Sequence, residues 1–134
     1  MPVTERHFKK DAGFIRQTIA LGSPSVPISQ ADVLHDAYKP GFAFKIVAIE
    51  HFAESVTAAA DYDVKIGTTS ALAAAEVPTA DAREDAVLNA TAANLNGSAT
   101  DVINLHCTTD GSGLLVGLKV KVTIRPHPVG YGDI

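Results

Sequence analysis

Between Leu114 and Arg125 apolar and polar residues alternate. Leu114, Val116, Leu118, Val120, Val122 and Ile124 fall on one side, and Lys119, Lys121, Thr123 and Arg125 on the other. A period of two is the spacing of an extended strand, whereas a helix would scatter these six residues around its axis. Such a stripe commits the chain to a sheet with one buried face, because a slip of one residue would turn every apolar side chain into water. Asp101 to Thr108 reads as a partner strand, and Asp110-Gly111-Ser112-Gly113 between them is rich in residues that tolerate turn geometry. The pattern predicts a C-terminal hairpin. Pro126 and Pro128 end its second strand, and Val129 to Ile134 form a Gly-containing tail.

The rest of the chain carries shorter signals of the same kind. Phe14 to Leu21 suits a strand, broken by Gly22, Ser23, Pro24 and Ser25, and Val26 to Leu34 suits a second strand or edge segment. After the Lys39-Pro40-Gly41 turn, Phe42 to Phe52 is apolar on both sides. Phe42, Phe44, Ile46, Ala48, Glu50 and Phe52 share one face, and Ala43, Lys45, Val47, Ile49 and His51 the other. That pattern predicts a strand buried on both faces or lying at a subunit contact. Tyr62, Val64 and Ile66 point inward and Asp63 and Lys65 outward, up to the Gly67-Thr68-Thr69 stop. Ser70 to Asn94 is Ala-rich and leaves three readings open. They are a helical turn over Ser70 to Glu76, a short helix over Asp81 to Asn89 capped by Asp81 with Glu84 three residues on, or a strand over Ala86 to Ala92. Asn96-Gly97 is a turn signal. Six to eight short strands separated by turns predict an antiparallel β-sandwich, jelly-roll-like, or a barrel, with room for one short helix in 70–94. The expected organisation is an N-terminal arm over 1–13 and a single β domain over 14–134.

Chain length and composition narrow the function classes. A domain of 134 residues buries roughly two-thirds of its unfolded surface and needs neither disulfide nor metal to hold a core. A net charge of −4 argues against nucleic-acid binding. No signal-like segment and no stretch of membrane-spanning length is expected. Cys107 stands alone and reads as a small buried apolar residue, with the adjacent His106 directed to the opposite face. The histidines His7, His35, His51, His106 and His127 have no metal-site spacing and read as surface or hydrogen-bonded residues. Carboxylates at Glu50, Glu54, Asp61, Asp63, Asp81, Glu84 and Asp85 do not by their spacing define a glycosidase pair. No nucleophile elbow, phosphate loop or calcium loop is present in the sequence. No catalytic, metal or cofactor residue is therefore predicted, and no cofactor. The candidate contact residues are the arm, Arg6, His7, Phe8, Lys9 and Lys10, and the basic face, Lys119, Lys121 and Arg125. The arm reads equally as a frayed terminus or as a segment docking on a neighbour. The basic face reads as a contact with an acidic partner or as a solvated face that discourages sheet aggregation.

One pattern runs through Phe42 to Pro128. It comprises a long apolar strand, Asp61-Tyr62-Asp63-Val64-Lys65-Ile66-Gly67-Thr68-Thr69, an Ala/Thr/Asn-rich middle, Ala99-Thr100-Asp101-Val102-Ile103-Asn104-Leu105, the Thr108 to Gly113 turn and a long alternating strand. In texture this resembles the small β-sandwich proteins of tailed-phage virions, most of all head decoration (cement) proteins. The resemblance implies a trimer on the outer capsid lattice that clamps neighbouring major capsid protein subunits. It also implies no catalytic residues, no nucleic acid or membrane as partner, and synthesis in the host cytoplasm before incorporation into the virion. It makes Met1 to Leu21 the expected capsid contact. The two-faced Phe42 to Phe52 strand suits an oligomer whose core continues across subunits. The alternative readings are another virion component (tail, adaptor or fibre domain), a carbohydrate-binding sandwich module that would need exposed aromatic platforms, and a small enzyme.

Overall fold

A computed structural model describes residues 16–26, 33–57, 60–109 and 114–127. The period-two segments become strands β1 (Gln17–Val26), β2 (Val33–Tyr38), β3 (Phe44–Phe52), β4 (Ser55–Thr57), β5 (Ala60–Ile66), β6 (Thr69–Ser70), β7 (Glu84–Asp85), β8 (Asn96–Gly97), β9 (Ile103–Thr109) and β10 (Leu114–Pro126). Among the described residues a single 3₁₀ turn, η1 (Ala92–Leu95), precedes β8. One sheet has the order β1-β10-β3-β7, with β4 also on β10 and β8 also on β3; the other has the order β2-β9-β5-β6. Every strand ladder is antiparallel. The two sheets enclose one apolar cluster that includes Phe44, Ile46, Ile49, Tyr62, Val64, Leu72, Ile103, Leu105, Leu115, Leu118, Val120, Val122 and Ile124. This is the antiparallel β-sandwich class that the alternation predicts.

The expected C-terminal hairpin does not form. β9 pairs with β2 and β5, whereas β10 pairs with β1, β3 and β4. β9 and β10 thus belong to different sheets, and the buried faces of both strands line the same interior. Turn residues between two alternating strands do not say whether the strands share a sheet, which is why the local sequence does not separate the two arrangements. The predicted stripe holds at Leu118, Val120, Val122 and Ile124, each stabilised by about 1.5–3 kcal/mol of burial. It shifts phase upstream. Leu115 is buried and Val116 only half-buried, because Gly117 between them and Leu118 takes a φ of 66° that breaks the alternation.

β1 also departs from expectation. It runs through Gly22 to Val26, where a break is predicted. The Gly22 amide faces the open edge, donating to Asp36 Oδ2 at 3.0 Å, and Pro24, two residues on, directs its nitrogen the same way. On an edge strand that position costs no ladder hydrogen bond. Asn96-Gly97 is a strand pair rather than a turn. It lies against Phe44 and Lys45, and Gly97 is glycine because the Phe44 ring occupies the place of a Cβ.

The two-faced β3 strand is resolved by a bulge. Thr123 pairs with Ala48 but Ile124 pairs with Ile46, leaving Val47 as an extra residue. The alternation changes phase there. Phe44 and Ile46 point inward before it, and Ile49, His51 and Ala53 after it. Both apolar sets therefore enter one interior, and burial at a subunit contact is not needed to explain them.

Residues 70–94 form neither of the predicted helices nor the Ala86 to Ala92 strand. The segment spends its backbone groups on two sheet edges. Along β5, Ala71 N donates to Val64 O, and Tyr62 and Glu76 exchange a pair of bonds; along β3, Ala86 N donates to Ile49 O and Asp81 N to Ala53 O. Further bonds from Ala73 N to Val87 O and from Asn89 N to Ala71 O join the two runs. Asp81, the expected N-cap, instead turns the chain with a φ of 57°. Small alanines let this segment lie close along one side of the sandwich and cover edges that would otherwise be open.

Candidate functional site

The bulge at Val47 has a chemical consequence, because it turns His51 into the core. From β3, the His51 Nδ1 lies 2.5 Å from the Tyr62 hydroxyl on β5, in the opposite sheet. Its Nε2 lies 3.1 Å from Glu84 Oε1 on β7. The imidazole also meets the phenol ring edge-on, with centroids 5.2 Å apart and planes at 78°. Glu84 is in turn held by Thr79, whose backbone amide donates to Oε1 at 3.0 Å and whose hydroxyl donates to Oε2 at 3.2 Å. Burial, reinforced by the negative charges of Glu76, Asp63 and Glu84, pushes the Tyr62 pKa far above its ordinary value. Tyr62 therefore keeps its proton, and because the Glu84 carboxylate only accepts, the hydrogen of the bond to Glu84 is carried by His51 Nε2.

Carboxylate, imidazole and hydroxyl in this order are the parts of a hydrolytic triad, with tyrosine where a serine would stand. A nucleophile must be reached by its substrate. Tyr62 is fully buried and His51 is 2% exposed. The chain of hydrogen bonds instead ties the two sheets together and closes β7 onto β3. His51 is thus of the hydrogen-bonded kind among the two readings the sequence allows its histidines, and it is buried. The sequence signal was its place among Phe44, Ile46, Ile49 and Phe52, in an apolar strand where a histidine must find partners.

On the outer face of the same strands lies a shallow depression of about 170 Å³, lined by Glu50, His51, Phe52, Arg83, Lys119 and Lys121. Lys119 stands directly across from Phe52, and Lys121 across from Glu50. Arg83 Nε approaches Glu50 Oε1 at 3.5 Å. Lys119 and Lys121 are exposed and, among the described residues, make no ion pair. Arg125, the third member of the predicted basic face, is only 8% exposed and lies further along β10 opposite Lys45. The open basic surface is thus the lysine pair joined by Arg83, a residue the sequence analysis did not single out because it lies in the irregular 70–94 segment. Arg6, His7, Phe8, Lys9 and Lys10 lie outside the described residues.

A second hollow at one end of the sandwich is lined by Ile66, Gly67, Thr68, Thr69, Ala93, Asn94, Asn96 and Asp101. Its polar groups serve the local fold. Asp101 Oδ2 accepts from the Ser98 amide at 2.7 Å, and Asn104 Nδ2 donates to Gly67 O at 3.1 Å. Among the described residues no cluster of three or more His, Cys, Asp or Glu side chains is placed to hold a metal ion. Cys107 is fully buried on β9, as its apolar reading anticipates. Comparison with known protein families, with curated proteins and with solved structures finds no match to this chain.

Proposed function

We propose that this chain is a virion structural protein that decorates the outer surface of a tailed-phage head, contacting the major capsid protein and stabilising the shell. In this reading it acts by binding and not by catalysis. The observation that carries the reading is the exposed lysine pair beside an open depression on a chain of net charge −4. Such a face suits attachment to an acidic protein surface. The antiparallel sandwich agrees with the texture resemblance, which remains the source of the capsid assignment, of the trimer and of the contact role of the N-terminal residues. The bulge in β3 removes the two-faced strand as a reason for a shared core, so the trimer rests on the resemblance alone. Among the described aromatic residues only Tyr38 is exposed, which gives a carbohydrate-binding reading little platform to stack on.

The test uses heads of the phage that encodes the protein, prepared without it. Added chain is expected to co-sediment with the heads to saturation and to appear at regular positions on the outer lattice by electron microscopy. Absence of binding to heads overturns the capsid reading. Binding to tails alone replaces it with the tail or adaptor reading.

A further inference from the structure

We propose that the depression bounded by Lys119, Lys121 and Phe52 is a docking site for an acidic, partly apolar segment of a partner protein. One carboxylate of that segment sits between the two ammonium groups, and an apolar neighbour lies on the Phe52 ring. This rests on the reading that the chain works by binding; it does not depend on which particle the partner belongs to.

Four observations lead to this ligand chemistry. The first is charge. The lining holds three cations, Arg83, Lys119 and Lys121, against one carboxylate, Glu50, an excess of two positive charges on a chain that is negative as a whole. Arg83 is already turned to Glu50, which leaves the lysines for an incoming group. The second is spacing. Residues two apart on a strand have Cα atoms about 7 Å apart on the same face, so two flexible ammonium groups reach one carboxylate from either side or straddle two. The third is room. On the β1 side, Lys119 and Lys121 stand opposite Gly22 and Ala20, so their β1 partners leave the space above them open. The fourth is shape. The depression, about 170 Å³, is shallow and open along the sheet, so a short side chain and its neighbour can lie in it.

Phe52 in the lining sets an apolar ring beside the lysine charges, which suits an acidic peptide with an apolar neighbour. The depression lies on an open sheet face, where an extended segment can lie across β3 and β10. Glu50 is the built-in competitor. It stands in register with Lys121 and supplies the one negative charge in the lining.

The experiment titrates the isotope-labelled full chain with a capped peptide of alternating glutamate and leucine and follows backbone amide shifts. A matching peptide of lysine and leucine and a heparin-derived oligosaccharide serve as comparison probes. The expected result is saturable shifts at Phe52, Arg83, Lys119 and Lys121 with the acidic peptide and none with the basic one. Reversing both lysines, K119E with K121E, should weaken binding at least about tenfold, and E50Q should strengthen it about two- to threefold. Both lysines are exposed, so the fold should persist. The amide spectrum of the double variant checks this, and the milder K119Q with K121Q pair gives an independent reading of the charge effect. The proposal is overturned if the acidic peptide produces no saturable shifts, or if its binding survives both lysine variants. It is equally overturned if the sulfated oligosaccharide binds while the peptide is silent, which would make the face a polysaccharide site. No capsid enters this titration, so its failure and the failure of head binding are separate results.

Discussion

Glu84 shows how one side chain on a nearly stranded edge comes to matter to the interior. Its carboxylate receives the Thr79 amide and hydroxyl on the outside and the His51 imidazole on the inside. The Thr79 amide first, and then the His51 hydrogen bond, hold its pKa below the ordinary value of 4.5. A carboxyl whose folded pKa is depressed stabilises the fold above its unfolded pKa, and that contribution is lost as pH falls through the folded value. Replacing Glu84 with Gln removes the titration and keeps neutral hydrogen-bonding groups. The variant should melt at a lower temperature than the parent at neutral pH, and the gap should close as pH falls through the depressed range of the folded carboxyl. Thermal melts of the two proteins across that range measure it. A gap that stays constant with pH would mean that the ionised carboxylate contributes nothing through these bonds. His51 itself owes its partners to one inserted residue, Val47, without which it would face the lysines outside.

At the level of elements, the sandwich is held in register by a few irregular positions. The β3 bulge at Val47, the positive φ at Gly117 and the close approach of Gly97 to Phe44 each correct a strand whose simple alternation would not fit. Gly117 sits where a Cβ would also crowd the Glu54 side chain, at 2.7 Å from its Cγ. Gly97 is the more demanding of the two, because the ring it meets belongs to a fully buried phenylalanine with nowhere to retreat. Substituting Gly97 with Ala should destabilise the domain by about 1–3 kcal/mol through overpacking at the β8–β3 contact. The denaturation midpoint in urea should fall with an unchanged slope. If stability is retained, the ring can move and the glycine is there for turn chemistry after all.

The whole molecule treats its two sides differently. One side is covered by residues 70–94, which cover the edges of β5 and β3. On the other, β1 and β2 are the outer strands of their respective sheets, with neighbouring side chains joining them. Asp36 reaches from β2 to cap the Gly22 amide, and Gln17 Nε2 donates to the Tyr38 hydroxyl at 3.2 Å. Asp36 is brought to this position by a second bulge, at His35, where the β2–β9 register shifts. A carboxylate directed at an open edge amide satisfies it and repels the acidic surface of another copy, which protects the edge against strand addition. Changing Asp36 to Ala should cost about 1 kcal/mol of stability and raise concentration-dependent self-association in light scattering. A variant that remains as dispersed as the parent would show that the edge is protected by shape alone.

Sequence alone determined the class of fold and most of the inward faces. Tyr62, Val64 and Ile66 on β5 and Leu118, Val120, Val122 and Ile124 on β10 were legible because burial in a strand is written in a period of two, which neighbouring residues display directly. The two exposed lysines of the site were legible for the same reason. What that period does not carry is which strand lies beside which. The turn residues between β9 and β10 read the same whether the two strands share a sheet or not, and the Ala-rich 70–94 segment has no pattern of its own because its hydrogen bonds are to distant edges. The bulge that turns His51 toward Tyr62 and Glu84 is equally silent in sequence. It is a mismatch of one residue between β3 and β10, two strands separated by some seventy positions, and it exists only where tertiary structure sets them side by side.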